Sequence, residues 1–180
     1  MVFILPVSIQ KRIGQSKVLE NIMDYFLRRN NNEISEYINW GGYKFHFYAS
    51  FQVLNQAKKK GIESSLTRAM LKIVDDGSNI IDIGANYGFI TIVLAKHVLE
   101  KNGTVFSFEC EKDIFNTLQK SLKKNNLNNV QSFNYFLGDV DSKEMKTVNS
   151  VLVGFDKPID LIKIDTDGSD LDCLKGCSEI

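Results

Sequence analysis

Acidic and glycine residues lie at the end of one apolar segment and the start of the next. Asp82 falls inside the run Asn79–Ile83, and Gly84 and Gly88 follow it. Glycine lets a backbone turn approach a ligand closely, and a helix beginning there offers unpaired N–H donors. An acid just before the first glycine suits a ligand with an ammonium group better than one with a pyrophosphate. The alternative is an ordinary strand-to-helix turn without a ligand.

A second acid, Glu109, ends the apolar run Thr104–Glu109, 25 residues after Gly84. A carboxylate at the end of the second strand accepts hydrogen bonds from both ribose hydroxyls in nucleotide-binding folds; a solvated strand-end acid is the alternative. The dinucleotide fingerprint G-x-G-x-x-G fails, because Asn86 and Phe89 replace its second and third glycines. An NAD-dependent dehydrogenase is therefore disfavoured. S-adenosylmethionine, which has both a free amine and a ribose, suits the two acids.

A third group of acids follows the segment Asp160–Asp165. Counted from Asp165, an EF-hand loop would need glycine in sixth place and glutamate in twelfth, and neither is present. Lys163 and Asp165 share one strand face because side chains alternate, so Asp165 faces the crevice where open α/β sheets bind ligands. Asp165 is the first candidate for a general base and Asp167 the second, with Lys163 orienting either one. The EF-hand is rejected and a looser metal site stays open as an alternative, but we assign no metal ligands.

Strands and helices must alternate to position these residues. Strands are predicted over residues 79–83, 104–109, 130–137 and 159–165, and helices over 63–76, 87–100, 113–125 and 168–178. This alternation predicts an α/β fold with a parallel, doubly wound sheet of four strands. We expect two domains, residues 1–61 and 62–180.

The region before residue 62 has a different pattern. It predicts a helix over 15–29, a β-hairpin over 37–48 around Gly41-Gly42, and a loop over 49–60. Trp40, Tyr43 and Phe45 of the hairpin are candidate sugar-stacking surfaces, although aromatic residues at this spacing more often belong to a core.

The composition limits the partners. The 180 residues include 22 Lys and Arg and 22 Asp and Glu, so the net charge is zero, which disfavours nucleic-acid and polybasic membrane binders. Three cysteines without CxxC spacing favour the reducing cytoplasm. The short apolar start is neither a signal peptide nor a membrane span. We expect a small-molecule or glycan acceptor as partner.

Three ordered motifs between Glu63 and Gly176 resemble the FkbM-type methyltransferase family, namely Asp82–Gly88, Phe106–Glu109 and Asp160–Gly168. The resemblance implies a Rossmann-like class I methyltransferase fold, S-adenosylmethionine as cofactor, and O-methylation of a hydroxyl on a sugar, glycolipid or similar small acceptor. The cofactor-binding residues that it implies are Glu63, Asp82, Gly84, Asn86, Gly88, Glu109 and Asp139. Within this set, residues 82–88 hold the methionine part, Glu109 the ribose and Asp139 the adenine side.

The chain departs from the family pattern at several positions. Cys110 stands where the family has proline, and Asp167 and Asp170 stand where it has glutamate, so Asp167 reaches less far toward an acceptor. The family fold has further strands, for which the residues up to Ile180 leave no room. We therefore expect a C-terminal truncation and a fourth strand whose exposed edge a partner chain covers.

Two other functions are compared with this one. An inactive cofactor-binding remnant or an interaction module is the alternative, because the sheet is expected to be incomplete. A nucleic-acid amino-methyltransferase is rejected, since its Asn/Asp-Pro-Pro-aromatic loop is missing and Pro6 and Pro158 are the only prolines.

Overall fold

The computed structural model describes residues 34–180, which belong to two compact units that divide between Ile62 and Glu63. The described part of the first unit is 34–62, and the second unit is Glu63–Ile180. The helix predicted over 15–29 lies outside the described residues. The assignment of the two parts as separate domains stays a prediction.

The first unit contains the predicted hairpin. Strands β1 (Ile34–Trp40) and β2 (Tyr43–Ala49) pair antiparallel. Gly41 and Gly42 connect them with φ angles of 59° and 90°, as a two-residue turn between twisted strands requires. The hairpin prediction is confirmed.

The loop predicted over residues 49–60 is wrong, because helix α1 (Phe51–Lys60) occupies it. The Ser50 hydroxyl accepts a hydrogen bond from the Val53 N–H at 3.4 Å and so caps the helix start. Three apolar residues at helical spacing are buried: Phe51, Leu54 and Ala57. This spacing was readable in the sequence, but the polar residues between these positions obscured it.

The aromatic residues of the hairpin are mainly core residues. Trp40 is 7% exposed and Phe45 is 1% exposed, and the Trp40 indole N–H donates to the Lys60 carbonyl at 3.1 Å. The prediction that Trp40 or Phe45 stacks against a sugar is therefore wrong, since both side chains are buried.

The second unit is built on a parallel sheet with the strand order β5-β4-β3-β8. Its strands are β3 (Ile80–Ile83), β4 (Val105–Phe108), β5 (Val130–Phe133) and β8 (Leu161–Ile164). Its helices are α2 (Ser64–Ile73), α3 (Phe89–His97), α4 (Lys112–Lys124), α5 (Val148–Val151) and α6 (Asp170–Lys175). The predicted Rossmann-like α/β fold is confirmed, with β8 at one edge. A partner chain covering that edge stays a prediction.

The strand predicted over 130–137 is interrupted. β5 ends at Phe133, and β6 (Phe136–Leu137) pairs instead with β7 (Met145–Lys146) in a small parallel sheet. Between them, the Asn134 side-chain amide donates to the carbonyls of Glu109 and Cys110 at 2.8 and 2.9 Å. These bonds anchor the chain at the break, and only the tertiary structure reveals them.

Helix α3 lies in the interior of the second unit. Its first seven residues, Phe89 to Ala95, are all buried, as are the four residues of β3 and the four of β4. Within residues 34–180, the helices are all too short or too polar to cross a bilayer.

Candidate active site

Four polar or flexible residues follow the four parallel strands directly. Gly84 comes after β3, Glu109 after β4, Asn134 after β5 and Asp165 after β8. The strand ends are aligned, since Ile83 is opposite both Phe108 and Ile164. Parallel strands present their carboxyl ends at one edge, where open α/β sheets bind ligands.

Residues 84–88 form the turn between β3 and α3, called the glycine loop below. Gly84, Asn86 and Gly88 have φ angles of 74°, 52° and 86°. The N–H groups of Gly84 and Ala85 both donate to the Phe108 carbonyl, at 3.0 and 2.9 Å. A Cβ on Gly84 would lie 1.9 Å from the Asp165 carbonyl oxygen, so only glycine fits there without movement of the backbone.

Glu109 joins β4 to the glycine loop. One carboxylate oxygen accepts from the Asn86 N–H at 2.9 Å, and the other accepts from the Glu111 N–H at 2.8 Å. The residue is 8% exposed. Each oxygen retains acceptor capacity for another donor. The structure thus brings Glu109 together with the glycine loop, and its contact with a ribose stays a prediction.

Asp82 is completely buried and its carboxylate points into the protein. One oxygen accepts from the Thr91 hydroxyl at 2.6 Å, and the other lies 3.1 Å from the Lys163 ammonium. The ion pair follows from the register, since Asp82 and Lys163 are direct neighbours across β3 and β8. Contact of Asp82 with the methionine part of a cofactor stays a prediction.

Sequence reasoning missed Thr91, although a signal was present. Thr91 is the one hydroxyl residue of the apolar helix sequence FITIVLA and is fully buried. A buried hydroxyl normally needs a hydrogen-bond partner. Thr91 lies nine residues after Asp82, the only acid of β3 and the partner that its hydroxyl binds.

Asp165 is the exposed acid of this edge. Its side chain is 57% exposed, and one carboxylate oxygen lies 3.9 Å from the Lys163 ammonium. Glu63, the N-cap of α2, also lies close to Asp165. The pKa of Glu63 is raised, first by burial of its carboxyl group and then by the negative charge of Asp165. The structure therefore brings Glu63, Lys163 and Asp165 together.

The backbone of Glu63 is held in an unusual conformation. Its φ is 43°, in the left-handed region that few non-glycine residues adopt. Its carbonyl accepts from both the N–H and the hydroxyl of Thr67, at 2.9 and 3.1 Å. These bonds fix the start of α2 and hence where the Glu63 side chain begins.

Asp139 and Asp167 lie away from these contacts. Asp139 follows β6, and its carboxylate is 4.0 Å from the Lys175 ammonium on α6. Asp167 is exposed in the turn between β8 and α6. Their assigned roles stay predictions. Within residues 34–180, no three acidic, histidine or cysteine side chains are grouped closely enough to hold a metal ion.

Asp170 stabilises the same turn. One of its oxygens accepts from the hydroxyl and the N–H of Thr166, at 2.6 and 2.8 Å, and these bonds lower its pKa. Asp170, the first residue of α6, thus orders the segment that carries Asp167.

The strand order β5-β4-β3-β8 and the glycine loop after β3 define a Rossmann-like α/β fold. The chain belongs to the family described as protein-L-isoaspartate(D-aspartate) O-methyltransferase, which it matches over residues 50–140, just over half of its length. This family differs from the FkbM type that the motifs resemble, and the match ends before the motif Asp160–Gly168. No curated protein matches the sequence.

Several solved structures are similar to parts of the chain. The FkbM methyltransferase from Methylobacillus flagellatus is 22% identical with a TM-score of 0.49, over 58% of this chain and 30% of that one. Precorrin-6y C5,15-methyltransferase from Geobacter metallireducens is 22% identical with a TM-score of 0.48, over 67% and 58%. TYW2 from M. jannaschii, solved with AdoMet, is 24% identical with a TM-score of 0.42, over 60% and 48%. The chain therefore spans less than two thirds of the length of each.

Replacing Gly84 by alanine tests the close contact between the glycine loop and β8. We expect Gly84→Ala to lower the free energy of unfolding by about 2–5 kcal/mol, which combines the cost of a left-handed alanine with that of overpacking. Gly154→Ala is the matched control, because Gly154 has a φ of 88° but no atom within 4 Å of an added Cβ. We expect the control to cost only about 1–2 kcal/mol. Equal losses in urea unfolding would contradict the contact.

Replacing Glu63 by glutamine tests the proximity of Glu63 and Asp165. A raised pKa in the folded state means that ionised Glu63 disfavours folding, so Glu63→Gln is expected to raise the free energy of unfolding at pH 7. The gain should shrink as the pH falls through the folded-state pKa and vanish below the ordinary value of 4.5, where both states are protonated. Urea unfolding from pH 7 to pH 4 measures this, with the exposed Glu100→Gln as control. A gain independent of pH contradicts the proximity.

Proposed function

We propose that this chain binds S-adenosylmethionine at the carboxyl edge of its sheet and transfers the methyl group to an acceptor oxygen. The observation that carries the proposal is the position of Glu109, a buried acid at the end of β4 that is bonded to the glycine loop. The family matched over residues 50–140 is described as an O-methyltransferase family, which supports the same chemistry.

The residues at this edge fit the cofactor by their chemistry. Ribose hydroxyls are donors, and the Glu109 oxygens have acceptor capacity beyond the two N–H groups that they bind. The cofactor also carries cationic groups, and the exposed carboxylates of Glu63 and Asp165 supply negative charge. In this proposal residues 82–88 hold the methionine part, Asp82 acting through the Lys163 ammonium that binds the loop, and Asp139 contacts the adenine side.

We further propose an acceptor of the FkbM type, a hydroxyl on a sugar, glycolipid or similar small molecule. The support is the resemblance of three ordered motifs and the balance of 22 basic and 22 acidic residues, which suits a neutral acceptor. An isoaspartyl carboxylate is the second candidate, because the matched family is described by that substrate.

The proposed chemistry needs an oriented acceptor and a proton acceptor. S-adenosylmethionine, when bound, supplies a methyl group on a sulfonium with a good leaving group. The chain must hold the acceptor oxygen in line, which contributes about 7–11 kcal/mol toward lowering such a barrier. Asp165 is the first candidate to take the hydroxyl proton, because its carboxylate is 57% exposed. Asp167 is the second, and the positive charge of Lys163, whose ammonium lies 3.9 Å from Asp165, orients either one.

The alternative is a chain that binds the cofactor without transferring a methyl group, or one that only binds a partner. It shares the glycine loop and Glu109 with the enzyme, so cofactor binding alone does not separate the two. Transfer of a labelled methyl group does.

Calorimetric titration with S-adenosylmethionine tests cofactor binding. We expect the wild-type chain to bind and Glu109→Gln to bind about 10- to 100-fold more weakly, since a hydrogen bond to a charged group contributes about 1.5–3 kcal/mol. Glu111→Gln is the matched control, because Glu111 is an exposed neighbour and the substitution keeps the backbone N–H that it donates to Glu109. Undetectable binding by wild-type protein would reject both the enzyme and the cofactor-binding remnant.

Methyl transfer from labelled S-adenosylmethionine tests Asp165. We expect Asp165→Asn to lower turnover by about 10²–10⁴-fold, the usual contribution of a general base, with cofactor affinity retained. Asp172 is an exposed acid on α6, so Asp172→Asn is the control and should leave turnover unchanged. Full activity of Asp165→Asn together with loss in Asp167→Asn would transfer the role to the second candidate.

The same assay compares the acceptors. Free sugars and glycolipids represent the FkbM type, and an isoaspartyl peptide represents the second candidate. If the labelled methyl group enters only the peptide, the proposal of a sugar or lipid acceptor is rejected, while the proposal of methyltransferase activity is retained.

A further inference from the structure

The ammonium of Lys163 has more partners than its ion pair with Asp82. It donates to the Gly84 carbonyl at 2.9 Å and to the Ile83 carbonyl at 3.2 Å, and it lies 3.1 Å from Asp82. The Asp165 carboxylate is farther away, at 3.9 Å. An ammonium has three N–H donors, so the three nearer oxygens account for all of them.

These partners place Lys163 at the start of the glycine loop. Ile83 is the last residue of β3, and Gly84 is the first residue of the loop. The Lys163 side chain is 6% exposed, so water does not compete freely for its donors. It therefore holds two consecutive carbonyls in a fixed direction, and these carbonyls determine how the chain leaves the strand.

The loop is held on its other side by β4. The N–H groups of Gly84 and Ala85 donate to the Phe108 carbonyl, and that of Asn86 donates to Glu109. Phe108 and Glu109 therefore bind the first three N–H groups of the loop, and the Lys163 ammonium binds the two carbonyls at its start. The Ile83 carbonyl also accepts from the Asp165 N–H at 3.2 Å, so the Gly84 carbonyl depends more on Lys163. Without Lys163, the Ile83 carbonyl would keep the Asp165 N–H, whereas the Gly84 carbonyl would lose the ammonium that binds it.

Stability alone does not account for a lysine at this position. Two charges lose their hydration when they are buried, and well-packed apolar pairs often replace such ion pairs at no cost in stability. An apolar side chain, however, cannot donate to the Ile83 and Gly84 carbonyls. The hydrogen bonds to the loop are thus the feature that specifically requires a lysine.

We propose that Lys163 is a positioning residue for the glycine loop, which it presets by binding the carbonyls of Ile83 and Gly84. This role differs from orienting Asp165. Its consequence for S-adenosylmethionine affinity rests on the proposed function, whereas its effect on the loop does not depend on any ligand.

A double variant separates positioning from charge compensation. Lys163→Met alone leaves Asp82 buried without its cation and destabilises the fold for that reason. Asp82→Asn combined with Lys163→Met removes both charges and keeps an oxygen for the Thr91 hydroxyl. We expect this double variant to recover most of the stability that Lys163→Met loses. Lys124→Met, an exposed lysine at the end of α4, is the matched control.

Hydrogen exchange of the ligand-free protein, followed by mass spectrometry, measures the loop directly. We expect the amides of residues 84–88 to exchange at least about tenfold faster in the double variant than in wild type or in Lys124→Met. The amides of β4 should keep their rates, because only the loop has lost its partner. Wild-type rates at residues 84–88 would overturn the proposal. Equal acceleration of the loop and β4 would overturn it as well, since that indicates a purely structural role.

Calorimetry provides the second measurement on the same variants. If wild-type protein binds S-adenosylmethionine, the double variant is expected to bind at least about tenfold more weakly, and equal affinity would overturn the role in cofactor binding. Failure of wild-type protein to bind would reject the proposed function alone. The exchange rates would still decide whether Lys163 positions the loop.

Discussion

The buried contact between Asp82 and Lys163 fixes how β3 and the edge strand β8 meet. β3 and β8 are adjacent in the sheet but far apart in the chain, with Asp82 directly opposite Lys163. Both side chains of this 3.1 Å ion pair are almost fully buried. Removing one partner would leave a buried, unpaired charge and lower the free energy of unfolding by about 3–5 kcal/mol. The direction of the glycine loop and the place of Asp165 both depend on this alignment.

The acids of the site differ in how deeply they are buried and in how many groups of the protein they bind. Asp82 and Glu109 are buried and bind Thr91, Lys163 and backbone N–H groups. Asp165 is largely exposed, next to Glu63. Similar side chains at the same sheet edge thus have different environments: Asp82 and Glu109 bind groups of the protein itself, with acceptor capacity left on Glu109, whereas Asp165 faces solvent.

The sequence predicts the central sheet because its strands are short apolar runs that end in polar or glycine residues. Alternation along β8 also places Lys163 and Asp165 on one face. The pairing of Lys163 with Asp82 was not predictable, since strand order and register come from the packing of the whole unit. The same holds for Glu63, whose contact with Asp165 depends on the conformation imposed by Thr67. The break after β5 likewise depends on the hydrogen bonds of Asn134 to a distant segment.

The burial of α3 has a thermodynamic consequence for any ligand at this edge. The glycine loop continues into a helix whose first seven residues are all buried, so the helix end of the loop is anchored in the core. Most of the conformational entropy of the loop is therefore lost when the protein folds and not when a ligand arrives. Such preorganisation lets binding energy appear as affinity instead of being consumed in ordering the site.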